Sequence, residues 1–141
     1  MGEKEDALTK TYDLMLWLFP HIGKFPRDYR FILGDRMQNC LLDVCGQLIE
    51  ARFSKEKREI LKTANIELEK LRYMVRLCKD LPATAGFRGG LHAADSASLH
   101  CGNTLPPLPK LLDFRRYEYA AEAINGIGVY IGGWLKKTGK Q

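Results

Sequence analysis

The sequence predicts an all-α protein: an antiparallel four-helix bundle in a single domain, residues 1–141, with a long irregular loop between the third and fourth helices. Three observations carry this. Four segments repeat apolar residues at the three-and-four spacing of a helix. No window alternates apolar and polar residues as a half-buried strand does. Short turns join the first three segments, which makes consecutive helices antiparallel neighbours. With 141 residues, 45% hydrophobic and 28% charged, the chain can build one core of its own.

The first helix is expected over about residues 7–23, on a seam of Leu8, Tyr12, Met15, Phe19 and Ile22, with Leu14, Trp17 and Leu18 widening its apolar face. Pro20 kinks or tightens it, and Gly23 to Pro26 ends it. The second, about 28–52, takes Met37, Leu41, Val44, Leu48 and Ala51, with Asp28 placed to cap it or meet its dipole. Gly34 inside it costs roughly 1 kcal/mol against Ala and so marks a close helix contact. The third, about 55–80, repeats without a slip through Leu61, Ala64, Leu68, Leu71, Val75 and Cys78. Ser54 is its expected cap, without a full capping box because Lys57 stands three positions on. The fourth, about 113–137, reads Phe114, Tyr117, Ala121, Ile124, Gly128, Ile131 and Leu135 behind an Asp113 cap. The intervening loop, 82–112, is long where roughly 2–8 residues are usual. Pro106, Pro107 and Pro109 favour an extended approach to the last helix, and a short helix could form around His92 to Leu99. A mobile excursion is expected there, not a second domain.

Composition excludes several classes. The N-terminal "MGEKEDALTK" carries charges where a signal peptide needs an apolar run, and Asp6 stands where myristoylation wants Ser or Thr. "AINGIGVYIGGWL" falls well short of the ~20 residues of a membrane span. Cys40, Cys45, Cys78 and Cys101 form no CxxC pair, and three lie in apolar helical patterns, so a reduced cytoplasmic protein is expected. There is no Glu-x-x-His pair, P-loop or dinucleotide fingerprint. His92, His100 and Cys101 lack a fourth ligand, and Asp35 and Asp43 are not paired as an acid and base. No metal, no cofactor and no catalytic residues are expected: the chain does not read as an enzyme.

Charge is the signal that remains. The net charge of +5 is uneven: residues 1–26 sum to −1, whereas 27–80 and 81–141 each sum to +3. With Leu61 at heptad position a and Ala64 at d, the b and e positions of the third helix are Lys55, Arg58, Lys62, Asn65, Glu69, Arg72, Arg76 and Lys79. Six of these eight are basic and form one stripe beside the seam, while Glu56, Glu59, Glu67 and Asp80 fall at other positions. A phosphate backbone selects such segregation, because each Lys or Arg displaces a condensed counterion. The competing reading is a solvated face, with Glu69 pairing Arg72 or Arg76. Arg115 and Arg116 meet the positive end of the fourth helix's dipole, so a partner's acid, a phosphate or solvent must compensate them.

In "GIGVYIGGWLKK", Gly126, Gly128, Gly132 and Gly133 are costly in a helix unless something packs close. The neighbour is either a bulky side chain such as Trp17 or Phe19, or another subunit approaching along Gly128 and Gly132. The over-apolar first helix, with Trp17 and Leu18 beyond its seam, also asks for cover and points to a homo-oligomer. Arg27, Arg30 and Arg36 are expected on the surface as subunit or RNA contacts, unless Asp35 and Arg36 pair between subunits.

Three stretches, "FPRDYRFILGDRMQNCLLDV", "ANIELEKLRYMVRLCKDL" and "RRYEYAAEAINGIGVYIGGWLKK", together resemble the four-helix-bundle family of Avd, the accessory variability determinant of diversity-generating retroelements. That family is related to bundle proteins encoded in ribosomal-RNA intervening sequences. The resemblance covers residues 7–81 and 111–137. It implies a homopentamer with a basic surface that binds RNA, and cDNA as well, and a dedicated reverse transcriptase, supporting mutagenic copying without catalytic residues of its own. Arg72 and Arg76 in "LRYMVRL" match the family's basic third-helix pattern and fall on the stripe. The long loop departs from the family; it reaches the polymerase or RNA through Arg88, or has no fixed structure. The alternative function is a structural oligomer or adaptor of the ribosomal-RNA intervening-sequence type.

Overall fold

The computed structural model describes residues 6–83 and 109–139. Among these residues the chain forms four long helices and no strand. Helix α1 spans Ala7–Gly23. A helical turn, Arg27–Tyr29, runs through a π-helical segment, Arg30–Gly34, into α2, Asp35–Phe53. Helix α3 spans Lys57–Asp80 and α4 Phe114–Gly139. Each helix packs on the next, and α4 closes the ring against α1. This is the predicted antiparallel four-helix bundle.

Local chemistry sets the helix ends. Asp6 caps α1 by accepting from the Thr9 N–H at 2.8 Å and also pairs with Arg52 at the end of α2. Asp113 caps α4, its carboxylate accepting from the Arg116 N–H at 2.8 Å. Ser54 behaves differently from expectation: its hydroxyl accepts from the Glu56 N–H at 3.0 Å, which makes a local turn and delays α3 until Lys57. Lys55 therefore stands in the turn before the helix. Pro20 lies inside α1, and the helix continues to Gly23.

The core follows the predicted seams of α2 and α3 throughout: Met37, Leu41, Val44, Leu48 and Ala51 face Leu61, Ala64, Leu68, Leu71, Val75 and Cys78, all buried. Helix α1 is turned by about one position. It buries Ala7, Thr11, Leu14, Leu18 and Ile22, and leaves Tyr12 exposed. Thr11 can hold a core position because its hydroxyl donates to the Ala7 carbonyl at 2.7 Å, which satisfies the only polar atom it brings. Helix α4 buries Ala120, Ile124, Ile127 and Ile131, while Phe114 is exposed.

Gly34 meets its expectation. Its backbone is ordinary helix (φ −59°, ψ −46°), so it is not there for a left-handed turn. A Cβ at this position would lie 2.6 Å from Cγ2 of the buried Ile22, so the glycine lets the α1 end and the π segment touch. At the far side, the ends of the long loop are tied together. Pro82 bridges Lys110, the Leu111 N–H donates to Leu81 at 3.1 Å, and the Leu112 N–H donates to Cys78 at 3.0 Å, with both leucines buried. Arg88, His92 to Leu99, His100, Cys101, Pro106 and Pro107 lie outside the described residues.

Candidate nucleic-acid interface

The b and e positions of α3 flank its buried seam, and a helix packed on that seam must have those positions along one edge of its groove. The neighbour on that edge is α4. Three contacts fix this. Near the start of α3, Arg58 Nη1 lies 3.4 Å from where a Cβ on Gly139 would stand. In the middle, Arg72 Nη2 lies 3.0 Å from where a Cβ on Gly128 would stand. At the far end, Lys79 Nζ sits 4.9 Å from the Tyr117 ring centre. The basic stripe thus runs the length of the α3–α4 groove, its side chains from Arg58 onward carried by one helix.

Its electrostatics are only partly neutralised. Lys62 pairs with Glu59 at 3.3 Å, Lys79 with Asp80 at 3.7 Å, and Arg72 with Glu69. Lys55, Arg58 and Arg76 are exposed and make no ion pair among the described residues. Exposed pairs contribute only about 0–1 kcal/mol, so a phosphate can replace the acid partner at small cost. The acids on the opposite flank are engaged elsewhere. Glu67 bonds Lys70 at 2.8 Å, which holds the lysine's pKa up, and its backbone carbonyl receives the Cys40 thiol at 3.0 Å. Burial and then the Glu67 charge push the Cys40 thiol up to about 12.

The remaining sequence-predicted residues separate. Arg115 and Arg116 are exposed at the Lys79 end but lie off the groove. Tyr117 faces α3, and at about 100° per residue the two arginines are turned away from it. The dipole's compensation at Arg116 is internal, since Asp113 Oδ2 lies 3.9 Å from Arg116 Nε. Of the residues proposed for subunit contact, Leu18 is fully buried in the monomer core and cannot reach a partner. Trp17 stacks on His21 at 4.2 Å between ring centres and lies tilted against Tyr119 at 4.6 Å, joining α1 to α4. Gly128 is occupied by Arg72 and Leu68 of α3, not by the expected Trp17 or Phe19. Arg36 is exposed, and Gly132 has nothing within 4 Å of a Cβ built on it. Arg27 and Arg30 are exposed as expected, each 5.9 Å from the exposed Phe31 ring.

The surplus apolar surface lies elsewhere. Leu42, Ile49 and Phe53 project from the side of α2 opposite Cys40, which marks the contact with α3. Tyr12 and Leu16 project from α1 away from Lys10 and Trp17, which mark the contact with α4. Both sets border the α1–α2 groove, and Phe53 is 86% exposed. Periodicity carried a signal for this that the seam count passed over: 42, 49 and 53 repeat by seven and four on the back of the α2 seam. Tyr73 was missed in the same way, although it stands between Arg72 and Arg76 and is exposed.

Among the described residues no three His, Cys, Asp or Glu side chains gather as metal ligands, and no helix is long and apolar enough to cross a membrane. A family model described as bAvd-like matches residues 7–92, more than half of the chain, covering α1 to α3 and ending before α4. No curated protein and no solved structure matches the chain.

Proposed function

The chain belongs to the bAvd-like family, an accessory kind of protein, and from this premise we propose that it is a non-catalytic, cytoplasmic subunit of a diversity-generating retroelement. It binds RNA, and the cDNA copied from it, along the α3–α4 groove. It associates with the element's reverse transcriptase and supports mutagenic cDNA synthesis. The observation that carries this reading is the line of Arg58, Lys62, Arg72, Arg76 and Lys79 along one groove, with three of the five paired only by weak, exposed acids.

The protein works as a homo-oligomer, with five copies as the family resemblance implies. The α1–α2 face, with Tyr12, Leu16, Leu42, Ile49 and Phe53, supplies the apolar area for a second copy. It leaves the basic groove open, because α1–α2 and α3–α4 are different sides of the ring of helices. The alternative, a structural oligomer or adaptor of the ribosomal-RNA intervening-sequence type, rests on that apolar face alone.

Reconstitution separates the two. Purified reverse transcriptase from the same element is supplied with its template-repeat RNA, with and without this protein. The retroelement reading predicts that full-length cDNA depends on the protein and falls when Arg58 and Arg76 are changed to Glu. Equal cDNA yield with and without the protein leaves the structural reading in its place.

A further inference from the structure

Between α3 and α4, beside the exposed cations, a cleft of about 270 Å³ opens. Its walls carry Arg72, Tyr73 and Arg76 from α3 and Tyr117 and Asn125 from α4, over a floor that includes Ala121. The small floor residue and Gly128 two turns beyond keep bulky side chains out of this stretch of α4. Tyr73 is 68% exposed at the rim. Tyr117 is half-buried across the groove with the Lys79 ammonium 4.9 Å from its ring centre. Arg76 makes no ion pair among the described residues. Arg72 pairs with Glu69 through Nη1, yet its Nε is buried without a hydrogen-bond partner among those residues.

A groove built only to hold a duplex backbone needs cations and has no use for an exposed ring. Here two tyrosines, Arg76 with no ion pair among the described residues, and an Arg72 guanidinium held only by the exposed Glu69 meet at one cleft. That combination matches an unpaired nucleotide, which presents a planar base, a phosphodiester and several acceptors together. We infer that this cleft is a nucleobase-stacking site for single-stranded RNA. The base lies on Tyr73, the adjoining phosphodiester meets Arg76, and the Arg72 guanidinium exchanges its exposed partner Glu69 for an acceptor of the bound nucleotide. The inference rests on the nucleic-acid reading above and adds to it a preference for bases over bare phosphates. Tyr73 suits the role because it is exposed and its ring is not needed for the core.

The test compares a labelled, unstructured oligouridylate with an abasic chain of the same length and phosphate number, by fluorescence anisotropy over a salt series. Wild type is expected to bind the base-bearing chain about tenfold more tightly than the abasic one. Tyr73→Leu is expected to remove that preference while leaving the salt slope and helicity unchanged, and Tyr73→Phe to keep it. Arg76→Gln is expected to lower the salt slope by about one for both chains. If wild type binds both chains equally, or if Tyr73→Leu keeps the preference, the stacking site is wrong while the electrostatic groove stands. Binding of neither chain at low salt overturns both. Tighter, Tyr73-dependent binding of an oligoglutamate peptide assigns the cleft to an acidic protein segment instead and overturns the stacking site.

Discussion

Replacing Gly34 with Ala tests how tightly the bundle is closed at the π segment. In an ordinary helix this substitution stabilises by roughly 1 kcal/mol, and the backbone at Gly34 is one that alanine adopts freely. The added methyl would stand 2.6 Å from Ile22 Cγ2, well inside van der Waals contact. Ile22 is 1% exposed and its branched side chain has no open direction in which to move. Overpacking costs about 1–3 kcal/mol, and a separation this short against a branched methyl belongs to the upper part of that range, about 2–3 kcal/mol. The expected net effect is a loss of about 1–2 kcal/mol, or about 3–6 °C in Tm for a chain of this size. Urea denaturation at fixed protein concentration measures it, because the self-association proposed above would make stability concentration-dependent. Ile22→Leu in the Gly34→Ala background removes Cγ2 at constant side-chain volume and should return part of the loss if the branched methyl is the clash. A neutral or stabilising Gly34→Ala would refute the close approach as the reason for the glycine.

Gly132→Ala is the converse: with nothing within 4 Å, it should stabilise the protein by up to about 1 kcal/mol, read in the same urea titration. Asp113→Ala removes the cap of α4 and the carboxylate beside Arg116, and should cost about 1 kcal/mol, measured by thermal melting. The buried thiols add a pH dependence. Cys40 and Cys78 are raised from 9.0 to about 12 by burial, so the folded state keeps protons that the unfolded chain releases. Their stabilising contribution is complete below pH 9 and is lost as pH climbs toward 12; Tm measured across that range should fall less steeply for Cys78→Ala than for wild type. Leu42→Glu with Ile49→Glu should lower the oligomeric mass in light scattering without loss of helicity, whereas Arg36→Glu should leave the mass closer to wild type.

The third helix was legible in its seam and its charges, which separate cleanly: every predicted seam residue is buried, and Arg58, Arg72 and Lys79 fall on one groove edge. Its start was not, because Ser54 makes a local turn in place of a cap. The first helix was legible as a helix but not in its rotation. Leu8, Met15 and Phe19 are apolar and partly bury against the core, so the apolar arc is too wide for periodicity to locate its centre. Thr11 hides the true seam, since a residue that looks polar is satisfied by its own helix. Chemistry shared between helices was not visible at all. That Gly128 receives Arg72, and that Tyr117 lies beside Lys79, depends on how α4 lies against α3, which no local pattern encodes. The same holds for Arg115 and Arg116, basic by sequence but turned off the groove.

The central claim is that the α3–α4 groove holds nucleic acid through phosphate charge, and the salt dependence of RNA binding tests it most directly. Wild type, an Arg58→Gln/Arg76→Gln variant and an Arg115→Gln/Arg116→Gln variant each remove the same formal charge or none, so net charge alone cannot separate the two variants. The account predicts that the groove variant loses about two from the log–log slope together with affinity, while the off-groove variant keeps the wild-type slope. Equal slopes for both variants, or the larger loss in the Arg115/Arg116 variant, would contradict it.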